Sequence, residues 1–366
     1  MVVSIVQVVR LAIQPPIPLD FLHKKTLKPT NMATLLFSSS FPTQPLLRQL
    51  PKRDPKWCNH EFELNTTDKP IDAWVVYDNL LTPATNRCAR QATFLITGEP
   101  PSLRTYRSRF ASQFGFVRTS HAKLGHKNKV LSHEAQPWHY GLHPCQTHRT
   151  TLDYDSLASL IRPDKSKLLS VISSNKSDTE GHRQRLRFVN ALKAAFGDQI
   201  DVFGRGIRDV ADKADAIWNY KYHIVLENDH SPYYMSEKLP DAFLGWSFPF
   251  YSGGLFADEV FSEQTFSRID MYSPDRSIAT IQNRIKSNAF ETAIPLLKES
   301  REKVLNDLNI FSVLCKHMNQ CLERRPVRTR EANPSNQLQP WITLWPKKRF
   351  LRLTSNQFAR VITNAA

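Results

Sequence analysis

Between residues 167 and 254 short apolar runs alternate with helical stretches and polar turns, and few folds accommodate that order. Residues 167–173 form an apolar run that ends in Ser174-Asn175. A helical stretch follows over 183–196, with Phe188, Leu192 and Ala195 on one face. Residues 200–203 are the next run, closed by Gly204-Arg205-Gly206. Residues 222–226 make a further buried strand, 236–244 a helix stopped by Gly245, and 248–251 a strand ended by Gly253-Gly254. Strand, helix, strand, repeated, predicts parallel βαβ units and an α/β class. Such sheets bind ligands at the carboxyl ends of their strands. The polar residues gather there: Ser174-Asn175, Gly204-Arg205-Gly206 and Glu227-Asn228.

A chain of 366 residues suits two cores rather than one. Ahead of the alternating region, residues 73–77 and 92–97 read as strands and 137–152 as loop. Residues 1–55, rich in Pro, Ser and Thr, are expected to be a poorly ordered extension. A first domain is expected over 56–160, a second over 161–320, and a basic tail over 321–366.

The charge balance is 49 − 34 = +15, which favours anionic partners: nucleic acid, a membrane surface or phosphorylated ligands. From Leu322 onward nine Lys and Arg face only Glu323 and Glu331, so the tail carries nearly half of the excess. It reads either as a solvated end or as a membrane-surface patch, with Trp341, Trp345, Phe350 and Leu351 beside the charges. The five cysteines show no CxxC pairing, which favours free thiols and a reducing compartment. Residues 1–19 are apolar, but Arg10 and Pro15-Pro16 interrupt them, and no stretch is long enough to span a bilayer. A cytoplasmic location, peripheral at the inner membrane surface if the tail binds lipid, is the expectation.

The densest chemistry lies between Tyr220 and Lys238. A buried strand delivers Glu227 and Asn228 to its end, and eight residues later Ser236 stands as the N-cap of a helix. Glu237 and Lys238 then sit where free N–H groups and the helix dipole favour a phosphate. Lys238 adds a full charge, and Glu237 can accept hydrogen bonds from ribose or sugar hydroxyls. A capped, charged helix start with no ligand is the plainer alternative.

The run Glu227-Asn228, Tyr234-Met235-Ser236-Glu237-Lys238, Ala242-Phe243-Leu244-Gly245, Pro249 and Gly253 resembles the donor-site motif of the family 10 α-1,3/1,4-fucosyltransferases. Val202-Phe203-Gly204-Arg205-Gly206 and Ser174-Asn175 extend the resemblance upstream. Thr119-Ser120-His121 and Pro137-Trp138-His139-Tyr140-Gly141 resemble bacterial members, so it covers roughly residues 90–270. It implies a GT-B-like fold, two Rossmann-like domains facing each other across a cleft. It implies an inverting transfer of fucose from GDP-fucose to a hydroxyl of a galactose- or N-acetylglucosamine-containing glycan, with roles in protein glycosylation or polysaccharide biosynthesis. The first domain would take the acceptor and the second the donor.

By that resemblance Arg185 and Lys238 bind the diphosphate, Asn228 and Tyr234 hold diphosphate or fucose, Glu237 the ribose, and Ser174 and Asn175 line the donor site. The Arg and Lys replace the metal of other glycosyltransferases; no cofactor is implied, and no Asp-x-Asp motif occurs in the donor segment. Thr97-Gly98-Glu99 resembles the segment holding the catalytic carboxylate, which makes Glu99 the expected general base. Ser236 replaces the usual Thr, and Pro240 the usual aromatic or aliphatic residue.

His139, His143, Cys145 and His148 form a crowded cluster. It reads as loop polarity, as an acceptor contact through His139, or as a loosely spaced metal set. His121 is similarly ambiguous. Three other readings of the whole chain stay open: another nucleotide sugar, a basic nucleic-acid-binding protein, and an inactive relative acting as scaffold. Against the second, the basic residues outside the tail are not interleaved with aromatics on a recognisable module, and no nucleic-acid partner is expected. Against the third, Arg185, Glu237, Lys238 and Glu99 are all present.

Overall fold

The computed structural model describes residues 32–177, 180–324 and 335–340. The chain divides into Met1–Met32 and Ala33–Ala366, and the second unit holds everything described below. It contains two large sheets, one parallel and one parallel but for an edge strand, each with its own apolar core.

The first sheet is built from β1 (Ala33–Ser39), β2 (Lys56–Trp57), β3 (His60–Leu64), β4 (Ala73–Tyr77), β6 (Thr93–Ile96), β7 (Phe116–Thr119) and β8 (Lys129–Leu131), in the order β2-β3-β1-β4-β6-β7-β8. All pairings are parallel except β2 with β3. A separate strand, β5 (Ala84–Arg87), pairs antiparallel with β14 (Ser335–Leu338). The second sheet is β9 (Lys167–Ile172), β10 (Ile200–Phe203), β11 (Tyr220–Leu226), β12 (Phe248–Ser252) and β13 (Ser267–Arg268), in the order β10-β9-β11-β12-β13, parallel throughout.

The helices in chain order are α1 (Ser108–Ala111), α2 (Tyr154–Ser159), α3 (Glu180–Phe196), α4 (Ala214–Ile217), α5 (Lys238–Leu244), α6 (Phe256–Val260), α7 (Pro274–Lys286), α8 (Ala289–Asn306) and α9 (Ile310–Arg324). α3 turns Phe188, Val189, Leu192 and Phe196 into the second core, as its spacing requires. Ala195, expected on that face, is exposed.

Strand β11 is central and buried on both faces, the pattern of a parallel strand covered by helices. It tolerates His223 because burial lowers the imidazole pKa to about 3 and Ser170 Oγ lies 2.8 Å from Nδ1. The ring is thus a neutral, hydrogen-bonded core group.

Three expected boundaries change. The poorly ordered extension does not include residues 33–55, because β1 lies between β3 and β4 with Leu35, Leu36 and Phe37 in the core. The loop after Pro137 belongs to the second core, to which Trp138, Tyr140, Cys145, Leu152 and Leu157 contribute. Conversely, α9 returns to the first core through Ile310, Phe311, Leu314, Cys315 and Met318. The remainder of the extension (1–31) lies outside the described residues, as does the tail, apart from residues 321–324 of α9 and 335–340.

Candidate active site

Both sheets bring their carboxyl ends to one region. On the second sheet, Glu227 follows β11 with its carboxylate fully buried. Ser236 donates to it from N–H (2.9 Å) and from Oγ (2.9 and 2.7 Å). Lys238 Nζ reaches Glu227 Oε2 at 3.3 Å and Ser236 Oγ at 3.0 Å. The adjacent Asn228 Oδ1 accepts from Arg185 Nη1 at 2.7 Å. The guanidinium on α3 and the ammonium on α5 therefore meet consecutive residues at one strand end. Arg185 is 9% exposed and its Nε is buried with no hydrogen-bond partner. Burial lowers its pKa, yet a guanidinium keeps its charge. A buried guanidinium N–H without a partner suits an anion.

Ser236 is not the N-cap. Helix α5 begins at Lys238 with Glu237 in the cap position, while Ser236 Oγ accepts the Lys238 N–H at 3.3 Å. The hydroxyl is spent instead on Glu227, which fixes the Lys238 side chain.

Glu237 lies in a denser charge network than its spacing suggested. Lys213 Nζ sits 2.8 Å from Glu237 Oε1 and 2.7 Å from Asp241 Oδ2, and His139 Nδ1 is 3.5 Å from the same Glu237 oxygen. Burial alone would raise the Glu237 pKa, but the charges of Lys213 and Lys238 outweigh it and hold the carboxyl well below its usual range. Asp241 also accepts the N–H groups of His139 and Tyr140, both at 3.0 Å. Asp212 and Asp215 hold Gly141, His143 and Thr147 in the same manner. His139, for which an acceptor contact was one expectation, thus stands against Glu237.

Ser174 and Asn175 follow β9, half-buried and exposed respectively. Asn175 N–H donates to Arg205 O at 3.1 Å. Gly204 and Gly206 have φ of +129° and +76°, and a Cβ on either would collide with Ser173 O or the Asn175 side chain at 2.2 Å. A tight turn against Ser173–Asn175 explains these glycines.

On the first sheet, Glu99 lies three residues beyond β6, half-buried. Burial raises its pKa, and Asp78 adds to the rise, while Arg104 and Lys238 oppose it. The Lys238 charge is therefore felt at Glu99 from the other half of the molecule. Ser102 N–H bonds Asp229 Oδ2 at 2.9 Å, a further link between the halves. Tyr234, 2% exposed, feels Glu227 and Glu237 from its own half and Glu134 and Glu99 from the other. Burial pushes its phenol up, so it stays protonated. Tyr234, Glu237, Lys238 and Glu99 are thus joined by electrostatics, and the Arg185–Asn228 pair adjoins them through Glu227, the chain neighbour of Asn228.

Sequence reasoning missed Lys213, Asp241 and Glu134. Asp241 lies four residues after Glu237, a legible helical spacing. Lys213 is in a loop without a motif. Glu134 is fully buried, its carboxyl oxygens lack hydrogen-bond partners, and Ser120 approaches without meeting hydrogen-bond geometry. Burial raises its pKa well above the usual carboxylate range.

The metal reading of the His–Cys cluster finds no support: among the described residues no group of three or more His, Cys, Asp or Glu could hold an ion. His148 Nε2 instead lies 3.2 Å from the Tyr140 hydroxyl. Cys58, Cys88, Cys145 and Cys315 are free thiols. Among the described residues, no helix is long and apolar enough to cross a membrane.

Two halves, each built on a largely parallel sheet, give the arrangement of a GT-B-like glycosyltransferase, and the chain is a glycosyltransferase. Residues 162–292 match the model of glycosyltransferase family 10 (fucosyltransferase), C-terminal part. Over those residues the chain is similar to family 10, in the segment that carries the donor motif; the match does not distinguish α-1,3 from α-1,4 linkage. No curated protein matches the chain. Among solved structures, an α-1,3-fucosyltransferase with GDP and the same description with GDP-fucose are each similar at 16% identity and TM-score 0.45, covering 74% of this chain and 83% of theirs. A glycosyltransferase from Rickettsia africae ESF-5 is similar at 10% identity and TM-score 0.43, covering 81% and 100%. Likeness at that level assigns neither fold nor ligand.

Proposed function

We propose that this protein transfers fucose from GDP-fucose to a sugar hydroxyl with inversion at the anomeric carbon, without a metal. The observation that carries the reading is the seating of Arg185 and Lys238 on the consecutive residues Asn228 and Glu227, with the Lys238 charge felt at Glu99. Glu99 takes the proton of the attacking hydroxyl, and its raised pKa improves it as a base near neutrality. As the bond to the diphosphate breaks, Arg185 and Lys238 stabilise the charge that grows on the leaving group. Asn228 orients the guanidinium, and Glu227 with Ser236 orients the ammonium. Glu237, held ionised by Lys213, offers acceptor oxygens to the ribose, and Tyr234 donates its phenol proton to diphosphate or fucose. Ser174 and Asn175 line the mouth of the donor site. The acceptor class is a galactose- or N-acetylglucosamine-containing glycan, in protein glycosylation or polysaccharide synthesis. The chain acts in the cytoplasm, and its basic tail, 321–366, supplies a peripheral contact to an anionic membrane surface.

The test is thermal unfolding with GDP-fucose, UDP-sugars and CMP-sugars. GDP-fucose alone should raise Tm, and Glu99→Gln should keep that rise while losing transfer to N-acetyllactosamine. A larger rise with a UDP- or CMP-sugar would replace the donor assignment.

A further inference from the structure

The peptide groups around Glu99 are tied down by side chains from elsewhere in the first half. The Tyr106 hydroxyl accepts the N–H of Gly98 and of Glu99, both at 3.1 Å. It donates its own proton to Asp78 Oδ1, which uses the full capacity of a phenol oxygen: one donor and two acceptor positions. Gln136 Nε2 donates to the Gly98 carbonyl at 2.7 Å. His121 Nε2 lies 2.8 Å from the Glu99 carbonyl, so that nitrogen carries the proton. Arg104 holds the other Asp78 oxygen, and the Tyr106 ring packs edge-on to His121 with centroids 5.0 Å apart. Gly98 itself is wedged in, since a Cβ there would come within 2.9 Å of Tyr77.

What this arrangement omits matters as much. Among the described residues the Glu99 carboxylate accepts no hydrogen bond. Donors aimed at it would lower its basicity; here they are aimed at its backbone. The backbone that carries the carboxylate is thereby fixed with no hydrogen bond drawn to the carboxylate itself.

We infer that Tyr106, anchored by Asp78, is a positioning residue for the general base: its hydroxyl clamps the Gly98 and Glu99 amides and sets where the Glu99 carboxylate stands. The inference rests on Glu99 being the base. Asp78 has a second effect through space, since its charge favours the protonated form of Glu99, against Arg104 and Lys238 and alongside Glu237.

The experiment is a double-mutant cycle with Tyr106→Phe and Glu99→Gln, reading GDP-fucose turnover with N-acetyllactosamine as acceptor, and GDP affinity. Tyr106→Phe alone should lower kcat about 10- to 100-fold, the scale of a small misplacement of a reacting group, with GDP affinity unchanged. In the Glu99→Gln background it should lower the residual rate no further. The acid limb of its kcat–pH profile should move down, because a loosened loop lets water reach the carboxylate. Unchanged kcat in Tyr106→Phe, or an equal loss in both backgrounds, overturns the positioning role while leaving the base intact. Full transfer by Glu99→Gln alone overturns the base and the clamp with it. Gln136→Leu, which releases the Gly98 carbonyl from the other side, should show the same pattern and serves if Tyr106→Phe does not fold.

Discussion

Replacing Lys213 with Met should destabilise the protein more than any exposed ion-pair substitution. The change keeps most of the aliphatic stem and removes one ammonium, 22% exposed, from between two carboxylates that are 8% and 0% exposed. Removing one member of a buried pair costs about 3–5 kcal/mol, because the remaining charge is left without compensation. With Lys213 partly reached by water, the lower end applies, about 3 kcal/mol. For a chain of this size that is about 4 °C in Tm, from an unfolding entropy of about 2 cal/mol/K per residue. The pH dependence follows from both partners. The folded Glu237 carboxyl lies below its ordinary 4.5, so its contribution is present above 4.5 and lost as pH falls through the folded value. The Lys213 ammonium is raised above 10.5, so its contribution is present below that and lost only at higher pH. Scanning fluorimetry of wild type and variant at pH 7.5 should show the full gap, and at pH 3.5 a smaller one. Equal Tm at pH 7.5, or a gap that widens in acid, would refute the charge network.

Two further outcomes are expected. Because burial and Asp78 raise the Glu99 pKa, kcat should fall in acid with a midpoint above the ordinary carboxylate value of 4.5; a midpoint at or below it, by steady-state assay across pH, would count against Glu99 as base. Removing residues 341–366 should lower binding to phosphatidylserine-containing vesicles in a flotation assay while leaving GDP affinity unchanged; undiminished flotation would place the membrane contact elsewhere.

The second sheet was legible because parallel strands buried on both faces write themselves as continuous apolar runs. Residues 200–203 and 248–251 match β10 and most of β12. The first half was less legible at its edge. Ala33–Ser39 is a central strand, but the Ser and Pro residues beside it resemble a disordered segment. Local composition does not report a pairing with β3 and β4. The return of α9 to the first core was hidden for the same reason: amphipathic spacing gives a buried face but not the sheet it faces. Within the site, a short stretch carried Glu227 to Lys238, so spacing found it. Lys213 joins that group from a loop, and the Tyr106 hold on Glu99 from a different loop; neither has local sequence support. Glu134 reads as one more polar residue until the fold shows its carboxyl buried without a hydrogen-bond partner.

The most direct measurement is calorimetric titration of GDP into wild type, Arg185→Ala and Lys238→Ala, each with and without EDTA. The account expects wild-type affinity to survive chelation, and each variant to bind about 10- to 100-fold more weakly, the worth of a charge-assisted hydrogen bond of about 1.5–3 kcal/mol. Binding that disappears with EDTA, or variants that bind GDP as tightly as wild type, would contradict a nucleotide held by this guanidinium and this ammonium.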